Sequence, residues 1–303
     1  MVNLLPLAEG ETISTVLPLP EDEAEWAALH VMFATAKGGV RRNSMDSFTN
    51  VPSNGKFAMK FDEESEDRLI GVELLSENDD VLLATRSGKA IRFAGDAVRS
   101  FQSRTSTGVR GIALKGDDEV ISLSVLRGFE ASTEERDQYL KAAPWKDNEN
   151  ASELSAERMA EFSENEDFVL TVCANGYGKR SSAYEYRQSG RGGQGILNID
   201  NIKRNGTVVA SFRATDDEQV MLVTDQAKLI RMKVADMRVI GRNSSGVRLF
   251  DVADGEKVVG AAKIDEEEES ENEAEDMVAD ENGEPNAAEG EASPPEAPEG
   301  ESD

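Results

Sequence analysis

"VLLATRSGKAIR", Val81 to Arg92, is an aliphatic run, a turn with a glycine at position 88, and a second short run that ends on arginine. That composition reads as a β-hairpin. The same pattern returns as "VMFATAKGGVRR" (31–42), "VLTVCANGYGKR" (169–180) and "VMLVTDQAKLIR" (220–231). Gly38, Gly88 and Gly176 hold the turn position, where a left-handed backbone favours glycine. The fourth copy has Ala227 there, so its hairpin is expected to turn differently.

A second landmark follows each hairpin: "SNGKFAMKF" (53–61), "STGVRGIAL" (106–114), "GQGILNI" (193–199) and "SSGVRLFDV" (244–252). Gly55, Gly108, Gly195 and Gly246 each open a short strand. A third apolar run closes the unit after an acidic turn: "RLIGVELL", "EVISLSVL", "TVVASFRA" and "KVVGAAKI". The chain begins with such an ending alone, "VNLLPLAEGETISTVLPL", so residues 1–29 read as a partial first blade before four full units. The first two units are 50 residues apart and the last two 51. Three or four short strands per unit, with glycine-rich turns, are the signature of β-propeller blades. The fold expected for residues 1–264 is all-β.

Two segments stand outside the repeat. Residues 127–167 carry 12 acidic and 5 basic residues. There "STEERDQYLKAA" opens with Ser132 three positions before Glu135, a capping-box spacing, and "SAERMAEF" favours helix. This is an acidic helical insert, expected to be dispensable for binding. Residues 265–303 hold 18 Asp/Glu and no Lys or Arg, a disordered acidic tail by composition. Taking that tail out of the formal −27 leaves −9, and the insert accounts for −7 of it. The propeller body is then near −2, so its cations are free to form a positive surface.

The single cysteine, Cys173, excludes a disulfide framework and a cysteine metal site, and its apolar run predicts a buried, inert thiol. The single histidine, His30, reads as structural. Nothing in the chain suggests a cofactor or a metal. No signal peptide or long apolar stretch is visible, which predicts a soluble cytoplasmic protein.

Packing explains recurring glycines and aliphatics but does not ask for recurring arginines. One arginine lies four residues after the turn position in every unit: Arg42, Arg92, Arg180 and Arg231. Another lies four residues before the second glycine in three units: Arg104, Arg191 and Arg242. Arg110 and Arg248 follow that glycine by two, and Lys179 and Arg187 flank the same features in the third unit. The loop "YRQSGRGGQGI" (186–196) concentrates the pattern. Repeated cations on repeated blades suit a bent polyanion, because phosphates ask for charge and donors rather than base-specific chemistry. Pairing of these arginines with acids inside a blade is the competing reading. An interaction propeller for an acidic protein is a second function class. A hydrolase-type propeller is the weakest, since Asp79, Asp80 and Asp117 sit in turn segments with no nucleophile–base set.

"VNLLPLAEGETI", "TGVRGIAL", "NGYGKRSSAYEY" and "VIGRNSSGV" together make the chain resemble the C-terminal domain of the DNA gyrase A subunit. Topoisomerase IV has a related domain and is the alternative. The resemblance covers about residues 2–264 apart from the insert. It implies a β-pinwheel, a propeller whose blades exchange strands, with a positive perimeter that wraps double-stranded DNA for ATP-dependent negative supercoiling. It also implies a place at the nucleoid without a membrane, and two partners, the gyrase A N-terminal domain and the gyrase B subunit. The family's box of Gln, two basic residues, two glycines, a basic residue and a glycine belongs to its first blade. The nearest match here, Ser189 to Gly195, keeps Arg191 and three glycines but lacks the leading Gln and two basic positions. The family's catalytic tyrosine domain and any ATP motif are absent from this sequence, so the chain reads as a non-catalytic fragment that starts inside the first blade.

Overall fold

The computed structural model describes residues 13, 15–49, 51, 52, 55, 57–61, 65–103, 106–146, 150–200 and 203–265. The opening stretch "VNLLPLAEGET" and the acidic tail lie outside the described residues.

Four antiparallel sheets make a four-bladed propeller. The first contains β1 (His30–Thr35), β2 (Gly39–Ser44) and β3 (Leu69–Leu75). The second contains β4 (Asp80–Thr85), β5 (Lys89–Ala94) and β7 (Val120–Leu126), with β6 (Val109–Arg110) between β5 and β7 in sequence. The third contains β8 (Phe168–Cys173), β9 (Tyr177–Ser182) and β11 (Val208–Arg213), with β10 (Ile196–Leu197) lying between β9 and β11 in the chain. The fourth contains β12 (Glu218–Thr224), β13 (Leu229–Lys233) and β15 (Val258–Asp265), with β14 (Val247–Arg248) preceding β15.

The short strands do not join the sheets of their own units. β6 pairs with β2, β10 with β5 and β14 with β9, so each second-landmark strand is the fourth strand of the preceding sheet. The glycine that opens it is required by this docking. A Cβ at Gly195 would sit 2.5 Å from the Ala90 carbonyl oxygen, and Gly195 has φ +70°. The first landmark behaves differently. The described residues of 53–61 form no strand; such a strand would pair with the hairpin of a preceding blade, and no hairpin precedes β1 among the described residues. At the other end, β13 has no fourth strand beside it among the described residues.

The same exchange explains Ala227. All four hairpins make one turn: the amide of Gly38, Gly88, Gly176 or Ala227 donates to the carbonyl three residues earlier. Ala227 has φ +60° and the glycines have φ between +77° and +86°. The expectation of a different fourth turn is therefore corrected. A Cβ at Gly38 would stand 2.8 Å from the Ile112 carbonyl and one at Gly176 2.5 Å from that of Phe250, both on the incoming segment of the next unit. Among the described residues no such segment arrives at the fourth hairpin, so alanine there meets only the modest cost of its left-handed backbone.

β3, β7, β11 and β15 are the inner strands. β7 packs against β3 on one side and β11 on the other, and β11 meets β15. The core is built by the alternate faces of the hairpins, with Met32, Val40, Val81, Leu83, Ile91 and Phe93 buried between the first two sheets and Leu170, Val172, Val220 and Leu222 between the last two.

The insert folds as two capped helices, α1 (Thr133–Ala142) and α2 (Ala156–Glu164). Ser132 and Glu135 form a reciprocal capping box, as their spacing predicts. Tyr139 stacks on Phe162 with centroids 5.0 Å apart, and both rings meet Tyr184 of the third blade. Cys173 is buried and its thiol is pushed up to about 12 by that burial. No described helix is long and apolar enough to cross a membrane.

Candidate nucleic-acid interface

The arginines four residues after the turn sit where one blade receives the next. The Arg92 carbonyl accepts from Ser189 N, that of Arg42 from Phe101 N and that of Arg180 from Ile240 N, each at 2.8 Å. Their side chains are enclosed by the same joint. Arg92 is 5% exposed; its Nε donates to Asp80 Oδ2 at 2.7 Å and its Nη1 to the Ala183 carbonyl at 2.8 Å. Gln188 of the incoming loop donates to the other Asp80 oxygen at 2.7 Å. Arg180 is buried, pairs with Asp216 and lies 5.1 Å over the Phe168 ring. Arg42 is buried beside His30, whose pKa is lowered by its own burial and then by the Arg42 charge. Lys179 is fully buried and donates to the carbonyls of Gly241, Arg242 and Ser244, while burial pulls its pKa down to about 7. In the same way Arg41 donates to the Ser106 carbonyl at 2.9 Å. The register of this series therefore has a structural cause: the backbone carbonyls of Arg42, Arg92 and Arg180 and the side chains of Lys179 and Arg41 hold the incoming segment. Arg231, the fourth member, has no incoming unit among the described residues and is exposed, with Nε on Gln219 Oε1 at 2.6 Å.

The second series clamps backbone. Arg191 donates to the carbonyls of Ala97 at 3.0 Å and Arg110 at 3.1 Å. Arg242 donates to the equivalent carbonyls one blade later, Glu185 at 2.9 Å and Leu197. Arg191 remains exposed and Arg242 is half-buried; Arg104 lies outside the described residues. The Gly/Arg loop zips onto the preceding exchanged segment through Gly192 N to the Gly111 carbonyl and Ala113 N to the Gly193 carbonyl. Arg110 is exposed, and exposed Arg248 pairs with Asp251 and lies 5.6 Å over Tyr177.

Sequence reasoning missed a third series except at one position. Arg99, Arg187 and Arg238 each lie seven residues after the joint arginine of their unit. Each follows a buried side chain, Val98, Tyr186 or Met237, and immediately precedes the residue that bridges to the preceding sheet. All three are exposed, and none has a carboxylate within ion-pair distance among the described residues. The sevenfold offset was the available signal; alternation at a joint, buried residue then exposed arginine, is what gives it meaning.

The model of the DNA gyrase C-terminal domain, β-propeller family matches residues 29–76, 79–127, 167–215 and 218–265, four repeats that each contain the hairpin and inner strand of one sheet. The chain belongs to this family. The DNA gyrase A subunit of Rickettsia bellii is 46% identical over 298 residues, covering 94% of this chain and 33% of that protein. Its counterpart in Salmonella typhimurium is 38% identical over 266 residues, covering 88% and 25%. The chain thus spans about a third or less of these relatives. Solved structures share the fold: a DNA topoisomerase IV C-terminal domain has a TM-score of 0.66 at 18% identity, covering 92% of this chain and 74% of that one. A DNA gyrase A C-terminal domain has 0.62 at 20%, covering 86% and 73%.

Proposed function

We propose that this chain is the DNA-binding and DNA-wrapping part of a gyrase A subunit that works in the cytoplasm beside the chromosome. In this reading its partners are double-stranded DNA and, within the supercoiling enzyme, the gyrase A N-terminal domain and the gyrase B subunit. One observation carries the reading. Arg99, Arg187 and Arg238 recur once in each of the second, third and fourth units, exposed and, among the described residues, without carboxylate partners, so three successive units offer successive cations to a backbone that curves past them; the first unit has Thr49 at this position. Arg110, Arg191 and Arg248 add exposed cations near the same exchanged segments, and Arg231 adds one on β13. Arg42, Arg92, Arg180 and Lys179 serve the interface indirectly, by fixing the loops that present the exposed arginines.

The test is duplex binding by the Arg99→Ala, Arg187→Ala, Arg238→Ala triple variant across a salt series. Each lost phosphate contact should lower the slope of log K against log salt by about 0.9, so the triple should lose roughly 2–3 units and bind every sequence more weakly. A folded triple variant with the wild-type slope overturns the assignment. Affinity that rises with duplex length, and a bent duplex in an end-to-end energy-transfer assay, separate wrapping from capture by an acidic protein partner.

A further inference from the structure

The insert is not an appendage beside the propeller. α1 and the loop after it face the third blade across a cleft of about 420 Å³. Arg136 and Lys146 line it from the insert, Arg187 from the third blade and Arg242 from the fourth unit, against two carboxylates, Asp137 and Glu185. Arg136, Lys146 and Arg187 have no ion-pair partner among the described residues. The Nη2 of Arg136 reaches Thr133 Oγ1 at 3.2 Å, beside the same cleft. Arg136 lines the cleft, and its guanidinium carries further N–H donors in a planar fork that matches phosphate oxygens.

The insert's overall negative charge does not govern this cleft. Glu135 and Glu161 pair with Arg158 at 2.9 and 2.7 Å, and Asp167 pairs with Arg127 and Arg213 at 3.1 and 2.7 Å. Glu166 accepts from Tyr139 Oη at 2.6 Å and from Trp145 Nε1 at 3.0 Å. Those acids are occupied elsewhere, while the cleft itself has four cations to two anions. Arg187 joins it to the exposed arginine series described above.

We propose that this cleft is a phosphate-binding site, through which the insert takes part in holding the duplex at Arg136 and Lys146. The inference rests on the DNA-binding reading for the source of the phosphate; the cleft itself fits any phosphate group. The whole chain carrying Arg136→Ala and Lys146→Ala is compared with wild type for binding to a short duplex over a salt series. Affinity should fall about three- to tenfold and the slope by about 1–2 units. Asp137→Asn, which removes a carboxylate from the cleft, should act in the opposite sense and tighten binding. Unchanged affinity and slope in both variants overturn the site. Should the wild type fail to bind the duplex, the DNA reading fails separately. Inorganic tripolyphosphate then decides the cleft: a saturable change in Trp145 fluorescence, lost in the double variant, retains it as a free-phosphate site, and no saturable change rejects it.

Discussion

A salt bridge that is almost wholly enclosed behaves differently from one on the surface. Arg92 and Asp80 are 5% and 3% exposed, and their partners come from two blades: Ala183 and Gln188 belong to the third unit, Arg92 and Asp80 to the second. Removing one partner leaves an uncompensated charge in the joint, which costs about 3–5 kcal/mol. Arg92→Ala should therefore lower the urea midpoint sharply, and the Arg92→Ala, Asp80→Ala pair should recover part of the loss. Arg187→Ala, by contrast, removes an exposed side chain and should leave stability within about 0.5 kcal/mol of wild type. Equal midpoints for Arg92→Ala and wild type would return Arg92 to the surface. This contrast separates two kinds of repeated arginine that look alike in a string of letters.

At the scale of elements, the insert and the third blade share one aromatic cluster. Phe129 and Phe162 meet edge to face at 4.8 Å, and Tyr184 is 6% exposed because α1 and α2 cover it. Deleting 127–167 would uncover Tyr184 and remove Asp167 from Arg213, so the expectation of a freely dispensable insert does not fit the packing. Burying one such ring contributes roughly 1.5–3 kcal/mol. Glu166 anchors the cluster, and its carboxyl is raised above its ordinary value chiefly by burial. A carboxyl raised in the folded state holds its proton there when the unfolded chain has released it. Its contribution to stability is therefore greatest at low pH and falls as pH rises from the ordinary carboxylate value through the raised one. Glu166→Gln abolishes that fall. Thermal melts should show the variant gaining on wild type as pH rises above the ordinary carboxylate value of about 4, with the gap closing in acid. Parallel pH profiles for the two proteins would contradict it.

The whole molecule is a chain of handovers. Three joints each pass a two-residue strand from one unit to the sheet before it, so a blade is complete only when its successor has folded. The acidic segment 266–303 follows directly on β15, the last inner strand. Tethering would place its carboxylates at an effective concentration near the millimolar range for any site within reach, since 38 residues, if coil-like, would span roughly 30–35 Å. We expect the tail to compete with DNA for the exposed arginines. Residues 1–264 alone should bind a duplex more tightly than the whole chain, by up to about an order of magnitude. The difference should shrink as salt shortens the Debye length below about 8 Å. Equal affinities at low salt would make the tail a bystander.

Much of this was legible in the letters. Period and punctuation determine the hairpins, because a turn that needs a left-handed residue and strands that need alternating burial leave marks local to the chain. Ser132 and Glu135 mark a helix start for the same reason. Charge composition separates the tail and the insert from a near-neutral body. Strand exchange, however, is a choice between two partners of the same chemistry: β6 carries nothing that says whether it should join β5 or β2. Only the backbone contacts of Gly38, Gly108 and Gly195 decide that. The fate of the arginines follows from it. Arg92 and Arg99 are both arginines in a glycine-punctuated repeat. The third unit's incoming segment encloses Arg92 beside Asp80, while Arg99 stays exposed on the segment that the second unit passes to the first sheet, and no feature of either residue alone records which role it takes.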